Sequence, residues 1–347
     1  MSKHTVIDFL SRNESHLNFN LTFLKGLESL NYDVCLISNQ TQIQRLEATN
    51  KVSFKDSPKW AKRSFNGFLK LLKHRTSRIT ILAADNYVVP ILLFLFFPLF
   101  KKSKITFILH NNIGPLSINP KKRIPLKLVS KVLSIKLICL TQDGLQEVQK
   151  IGFEKQAVLI PHFNFSHLNK IVPDTSLKLK DNKSNILLIG RQANLFISKT
   201  LPQLNLNEYP NLHFTVCSTI TTSSKYDNLE LITDRLNENE FDKHLELTDF
   251  ALFPNYNIRF RASGILLDCI SKNCAIIAPR EGHFKEYIDN SIGEFYNDIN
   301  ELKTALNKIN KSQIKRSNYP ANNFKKALDK SSFESFKQKI NDYYSTI

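Results

Sequence analysis

Residues 249–288 read D-F-A-L-F-P-N-Y-N-I-R-F-R-A-S-G-I-L-L-D-C-I-S-K-N-C-A-I-I-A-P-R-E-G-H-F-K-E-Y-I. A short apolar run, Phe250 to Phe253, stops at Pro254, the pattern of a buried strand followed by a turn. A polar loop carrying Arg259 and Arg261 leads to Ser263-Gly264, just ahead of apolar residues at helical spacing, Ile265, Leu266, Cys269 and Ile270. Serine is a good N-cap, and glycine lets a ligand come close to the backbone. A second apolar run, Cys274 to Ala278, predicts another strand, and a further helix opens near Glu281. The first N–H groups of a helix lack intrahelical partners and carry partial positive charge, so Ser263-Gly264 is a candidate phosphate seat. Arg259 and Arg261 would add charge-assisted donors. Asp268, one turn further along, could accept hydrogen bonds from sugar hydroxyls. Ordinary packing gives the same residues a plainer account: an N-cap, a packing glycine and a solvated helix carboxylate.

The surrounding chain repeats this alternation. Apolar strands are predicted at 4–10, 33–38, 51–54, 78–83, 104–109, 136–140 and 157–160, with helices at 15–30, 41–48, 60–73, 120–133 and 142–150 between them. A polar stretch with Pro173 then reads as a linker. Alternation resumes with strands at 185–189, 213–217 and 229–232, a helix at 237–246 and the quoted stretch, and helices at 298–309, 322–330 and 333–345 close the chain. Short apolar strands alternating with helices predict an α/β fold with parallel sheets covered on both faces. The interruption predicts two Rossmann-like domains, 1–165 and 184–347, joined by a linker at 166–183, with the last helix able to pack back on the first domain. The most apolar segment, 88–100, is shorter than the ~20 residues a bilayer span needs. A buried or interface-lying helix is expected there.

With 347 residues, 42% hydrophobic and 23% charged, the chain can bury two ordinary cores. Its five cysteines form no C-x-x-C and sit in or near apolar runs, which predicts free buried thiols in a reducing compartment and no zinc site. The first residues lead straight into a strand pattern, so no secretory signal is expected. Charge is concentrated. Residues 51–136 hold 18 Lys and Arg against Asp56 and Asp85 alone, out of a net charge of +17. An anionic partner is implied for this segment. Its two amphipathic basic helices, the second with Lys121, Lys122, Arg123 and Lys127, favour an anionic membrane surface. Nucleic acid is disfavoured, because no recognised binding motif or basic–aromatic platform occurs. Solvated basic faces are the plainer alternative.

The motifs L-I-C-L-T-Q-D-G-L-Q-E-V-Q-K-I-G with V-L-I-P-H, I-L-L-I-G-R, and F-P-N-Y…S-G-I-L-L-D-C-I-S-K-N-C-A-I-I-A-P…F-K-E-Y-I follow one another in the order seen in GT-B glycosyltransferases. The chain resembles most the glycogen-synthase-like group that includes bacterial polysaccharide, capsule and lipopolysaccharide enzymes. The resemblance implies an N-terminal acceptor domain, a C-terminal nucleotide-sugar donor domain and chemistry in a central cleft. Residue by residue, it implies that Gly190 and Arg191 form the Gly-Arg pair that meets the donor diphosphate. Ser263 and Gly264 would open the diphosphate-binding helix, Asp268 would bind the ribose, and Glu286 would follow the second loop. His110 would face the donor sugar or the acceptor as the catalytic candidate. His16, Asn18, Asn111, Glu14 and Asp85 are further candidates for the cleft.

The chain departs from the family at three points. Phe260 stands where the first Glu of the E-x7-E motif would be, no Lys follows the Gly-Arg pair at the usual distance, and the N-terminal Gly-Gly loop is replaced by Asn13-Glu14-Ser15-His16. No D-x-D occurs, so a donor diphosphate would be held by a helix terminus and Arg, with no cofactor and no metal expected. The expected activity is transfer of a sugar, retention slightly favoured, to a lipid-linked or oligosaccharide acceptor at the inner face of the cytoplasmic membrane. The competing readings are a non-catalytic GT-B-like binding subunit, prompted by Phe260, and a basic peripheral membrane protein.

Overall fold

The computed structural model describes residues 2–11, 16–46, 48, 50–163, 183–220, 226–234, 236–254, 260, 262–289 and 291–346. The chain divides into two compact units, Met1–Leu168 with Phe260–Ala262 and Ser331–Ile347, and Asn169–Arg259 with Ser263–Lys330. The linker expected at 166–183 falls, apart from Lys183, outside the described residues.

The first unit holds seven strands: β1 (Ser2–Asp8), β2 (Tyr32–Asn39), β3 (Asn50–Phe54), β4 (Arg78–Ala83), β5 (Lys104–Leu109), β6 (Ile135–Cys139) and β7 (Ala157–Leu159). They form one parallel sheet in the order β3-β2-β1-β4-β5-β6-β7. The strands read as near-continuous apolar runs because both faces are covered. On one face, helix Leu17–Glu28 packs with helix Phe333–Thr346, and Phe19, Phe23, Phe336 and Ile340 share a core with Val6 and Leu36. Buried tyrosines fix that last helix to the sheet. The Tyr343 hydroxyl pairs with Thr106 Oγ1 at 2.7 Å, and Arg78 Nη1 donates to the Tyr344 carbonyl at 2.8 Å. On the other face lie helices Trp60–His74, Val88–Leu95 and Ile124–Val132, whose Phe68, Leu71, Val89, Leu93, Leu126 and Val129 are buried.

The second unit has six strands: β8 (Ser184–Leu188), β9 (Leu212–Cys217), β10 (Leu229–Ile232), β11 (Phe250–Leu252), β12 (Ala275–Pro279) and β13 (Gly293–Tyr296). The order is β10-β9-β8-β11-β12-β13, again parallel throughout. The chain runs outward from β8 through β9 to β10 and then returns to place β11 on the other side of β8. Parallel sheets bind ligands at such a reversal, beyond the carboxyl ends of the strands. In the first unit the corresponding reversal lies between β1 and β4.

One strand and several short helical elements are absent from the sequence reading. The edge strand β13 is only four residues long, G-E-F-Y, with too little alternation to register. Its glycine is required, since a Cβ at Gly293 would stand 2.1 Å from the Ile276 carbonyl oxygen of β12. Helix Ile113–Ile118 contains Gly114 and Pro115, both poor helix signals. The helical turns from Arg191 to Gln203 are broken into short α, π and 3-10 pieces that blur any 3.6-residue period. The expected helix at 88–100 is two helices, Val88–Leu95 and Phe97–Phe100, because Pro98 cannot donate the backbone bond that would continue the first. Among the described residues no helix is long and apolar enough to cross a membrane, and all five cysteines are free.

Candidate functional site

In the second unit, Ile189 and Gly190 follow β8, and Gly190, with a φ of +76°, turns the chain into helix Arg191–Leu195. That left-handed conformation strains any L side chain. A Cβ at Gly190 would also lie 2.9 Å from Ile265 Cδ1. The loop after β8 therefore meets the start of helix Gly264–Ser271, which follows β11 across the reversal point. Ser263 is the N-cap and its Oγ accepts from the Leu266 N–H at 3.2 Å. This leaves Gly264 and Ile265 as the first two N–H groups ahead of the intrahelical ladder. The Ser263 N–H donates to His283 Nδ1 at 3.0 Å, so the buried His283 holds the helix entry in place. Sequence reading missed this histidine; its only signal was E-G-H after a predicted strand. Gly282, at φ +56°, makes the turn into helix His283–Tyr287, and Glu286 lies on the same side of that helix as His283.

Asp268 is four residues beyond Gly264, so both occupy one helix face, and helical side chains lean toward the N-terminus. No described residue donates a hydrogen bond to its carboxylate. Its pKa is raised to about 7, chiefly by burial, then by the Asp242 carboxylate, with Lys272 opposing. Asp242 comes from the helix Glu238–Leu247 that precedes β11, a neighbour the sequence alone did not reveal. A helix N-terminus thus stands at the sheet reversal, with a carboxyl one turn behind it whose pKa is raised. Arg259 and Arg261 lie outside the described residues, as does the side chain of Arg191.

In the first unit, a cavity of about 470 Å³ lies at the carboxyl ends of β1, β4 and β5. Its walls include His16, Trp60, Asp85, Tyr87, His110 and Lys122. The cavity frame is tightly bonded. Asp8 accepts the N–H groups of Leu10 and Ser11 at 3.0 and 2.9 Å, and Asn20 Nδ2 donates to its other oxygen at 2.7 Å. Asn112 Nδ2 donates to the Ala84 carbonyl and to Asn86 Oδ1, both at 2.8 Å, tying the loop after β4 to the loop after β5. Asp85 is the carboxylate in the wall. Its Oδ1 accepts the Tyr87 and Val88 N–H groups, and its Oδ2 accepts from Ser64 Oγ at 3.0 Å. It caps a helix and is committed to that task.

The imidazoles are differently placed. His110, directly after β5, stacks on His16 at 4.7 Å between ring centroids and meets the edge of Phe19 at 4.3 Å. His110 Nε2 and His16 Nδ1 are buried without a hydrogen-bond partner among the described residues. Burial, then the neighbouring His16 and His162, push the His110 pKa well below its ordinary value, so the ring is neutral. His16 itself sits at φ +63°, a left-handed conformation that histidine adopts at a cost and that brings its ring over His110. A neutral imidazole with an open nitrogen can accept or relay a hydroxyl proton.

Of the other candidates, Asn111 lines the cavity, Asn18 lies on helix Leu17–Glu28 and is not among the cavity's lining residues, and Glu14 lies outside the described residues. Lys122 reaches the cavity, while Lys121 and Lys127 are exposed. Arg123 is committed to structure, since its Nε and Nη2 donate to the carbonyls of Leu116 and Ser117. Lys127 Nζ lies 5.9 Å from the Phe153 ring centroid. Phe260 belongs to the first unit, partly buried against its apolar core, with its carbonyl near Gly144. This packing accounts for an apolar residue where the family resemblance implied an acid.

Two parallel Rossmann-like sheets of seven and six strands give the chain the GT-B fold of nucleotide-sugar glycosyltransferases. Among solved structures, Anabaena HepE (Alr3699) in complex with UDP and glucose is similar at 12% identity and a TM-score of 0.75, over 100% of both chains. Sucrose-phosphate synthase from Thermosynechococcus elongatus is similar at 11% identity and a TM-score of 0.71, over 100% of this chain and 99% of that one. A trehalose-6-phosphate synthase studied for glycosyltransfer with retention is similar at 12% identity and a TM-score of 0.66, over 99% of each chain. No protein-family model and no curated protein sequence matches the chain.

Proposed function

We propose that the protein is a glycosyltransferase of hexosyl type, moving a sugar from a nucleotide diphosphate to a hydroxyl of a lipid-linked or surface-polysaccharide acceptor. The observation that carries this reading is the meeting of Gly190 with Ile265 at the sheet reversal of the second unit. There the N–H groups of Gly264 and Ile265 would bind the diphosphate, with Arg191, Arg259 and Arg261 as counter-charges. Asp268 would accept from the ribose hydroxyls and Glu286 would face the sugar. Helix terminus and guanidinium would stabilise the departing nucleotide diphosphate, so catalysis is metal-independent in this account.

The cavity in the first unit would hold the acceptor, with its hydroxyl at His110. Asp85 is occupied as a cap, so no strong base faces the acceptor from among the described cavity residues. Retention fits that chemistry. The bond from the anomeric carbon to the diphosphate would break, the acceptor oxygen would bond to the same face, and its proton would pass to the released phosphate oxygen. The study of retention in trehalose-6-phosphate synthase, which shares the fold, supports this choice.

The test is release of nucleotide diphosphate from a panel of sugar nucleotides, with and without EDTA. Slow release without acceptor, accelerated by a membrane extract and unaffected by EDTA, is the expected result. Nucleotide binding with no release under any condition would instead favour a binding subunit, the reading that Phe260 leaves open.

A further inference from the structure

We infer that the helical layer formed by Trp60–His74, Val88–Leu95 and Ile124–Val132 docks on an anionic membrane leaflet. This inference locates the membrane contact of the proposed function, and its account of how acceptor arrives rests on that reading. Of the eleven large apolar side chains exposed among the described residues, ten fall between residues 60 and 128. Their spacing is regular. Phe65 and Leu69 stand one turn apart on the first helix, Ile91 and Leu95 on the second, and Ile124 and Leu128 on the third. Residues one turn apart share a helix face, so each helix shows an apolar line to solvent while Phe68, Leu93 and Val129 fill the core behind it. Leu95 is 64% exposed and Ile124 54%, and Ile118, just before the third helix, is 86% exposed. The helices pack side by side, so the lines form one surface larger than scattered exposed residues would give.

The rim identifies the partner. The helix Val88–Leu95 carries no charge, yet Lys101 and Lys102 follow it, Lys59, Lys62 and Lys73 lie at the two ends of the first helix, and Lys121, Lys127 and Lys131 accompany the third; all are exposed. An apolar centre with a lysine border matches acyl chains beneath anionic headgroups. A second copy of the chain would set this excess of positive charge against itself. Nucleic acid would leave the apolar lines unused. Trp60 belongs to the surface and also lines the cavity beside His110, as does Lys122. The cavity therefore opens at the edge of the docking surface, where a lipid-anchored acceptor can enter with its anchor still in the leaflet.

The experiment is flotation of the purified protein with phosphatidylcholine vesicles, with and without phosphatidylglycerol, for wild type, Leu69→Glu/Leu95→Glu and the control Ile220→Glu in the second unit. Both altered positions are exposed, so the melting temperature should hold. We expect flotation only with phosphatidylglycerol, weakened by salt, and reduced at least about tenfold in the double variant, with the control unchanged. Flotation that ignores phosphatidylglycerol or the double variant overturns the inference. So does sedimentation showing that the wild type is a dimer and the double variant a monomer. Nucleotide-diphosphate release measured without vesicles separates this result from the catalytic reading. Lost flotation with release intact is expected for the double variant, whereas a wild type that floats but releases nothing contradicts the catalytic reading alone.

Discussion

Replacing Asp268 with asparagine lowers affinity for the preferred nucleotide diphosphate about 10–100-fold, the loss of one or two hydrogen bonds to a charged acceptor. The change is nearly isosteric and removes only the charge and half of the acceptor capacity. It also alters pH dependence. In the wild type the carboxyl titrates at about 7, raised by burial and by Asp242. A ribose diol donates best to the ionised form, so wild-type affinity rises as pH passes upward through 7, and the variant lacks that rise. The nucleotide's own phosphate ionises near pH 6, and comparing the two proteins at each pH removes its contribution. The stability sign is opposite. A carboxyl whose folded pKa lies above its unfolded value stabilises the fold fully only below the ordinary carboxylate range, and that contribution is lost as pH rises from there to about 7. Bound nucleotide offsets the loss. Calorimetric titration between pH 6 and 8 checks the binding sign, thermal unfolding from pH 4 to 8 checks the stability sign, and equal affinity in the two proteins at every pH would remove Asp268 from the site.

Replacing His110 with alanine reduces turnover by about a hundredfold or more, the size of a lost positioning contact to the acceptor hydroxyl, while nucleotide affinity is unchanged because every nucleotide contact proposed comes from the second unit. The wild-type rate has no acid limb near the ordinary histidine value, since burial, His16 and His162 hold the His110 ring neutral well below it. His16→Ala removes one of the charges that repel a proton from His110, so an acid limb moves up toward that ordinary value. A structural role alone would lower the melting temperature without moving the limb. Rate–pH profiles of the two variants beside the wild type, with melting temperatures, separate these outcomes.

Much of the fold is legible because a doubly covered parallel sheet writes its strands as uninterrupted apolar runs. Runs such as I-T-F-I-L at 105–109 and A-I-I-A at 275–278 are too short for a buried helix and read as strands buried on both faces. The elements that escaped are those whose stability comes from tertiary contact. Strand β13 depends on Gly293 fitting against β12, and the turns after Gly190 are set by packing rather than by period. At the candidate site, the N-cap role of Ser263 and the shared helix of Gly264 and Asp268 could be read from cap chemistry and spacing. His283, Asp242 and the stacking of His16 on His110 could not, since each joins residues far apart in sequence. Arg123 shows the reverse limit, because a cation on a basic helix gives no sign in sequence that backbone carbonyls already hold it.

In the proposed function, the start of the helix Gly264–Ser271, met by Gly190, seats the donor diphosphate. Amide hydrogen exchange resolved to single residues, with and without saturating nucleotide diphosphate, tests it directly. Slowed exchange at Gly264 and Ile265, together with Gly190 and Arg191, is the expected result. Bound nucleotide that leaves those four amides unchanged and protects residues elsewhere would contradict it.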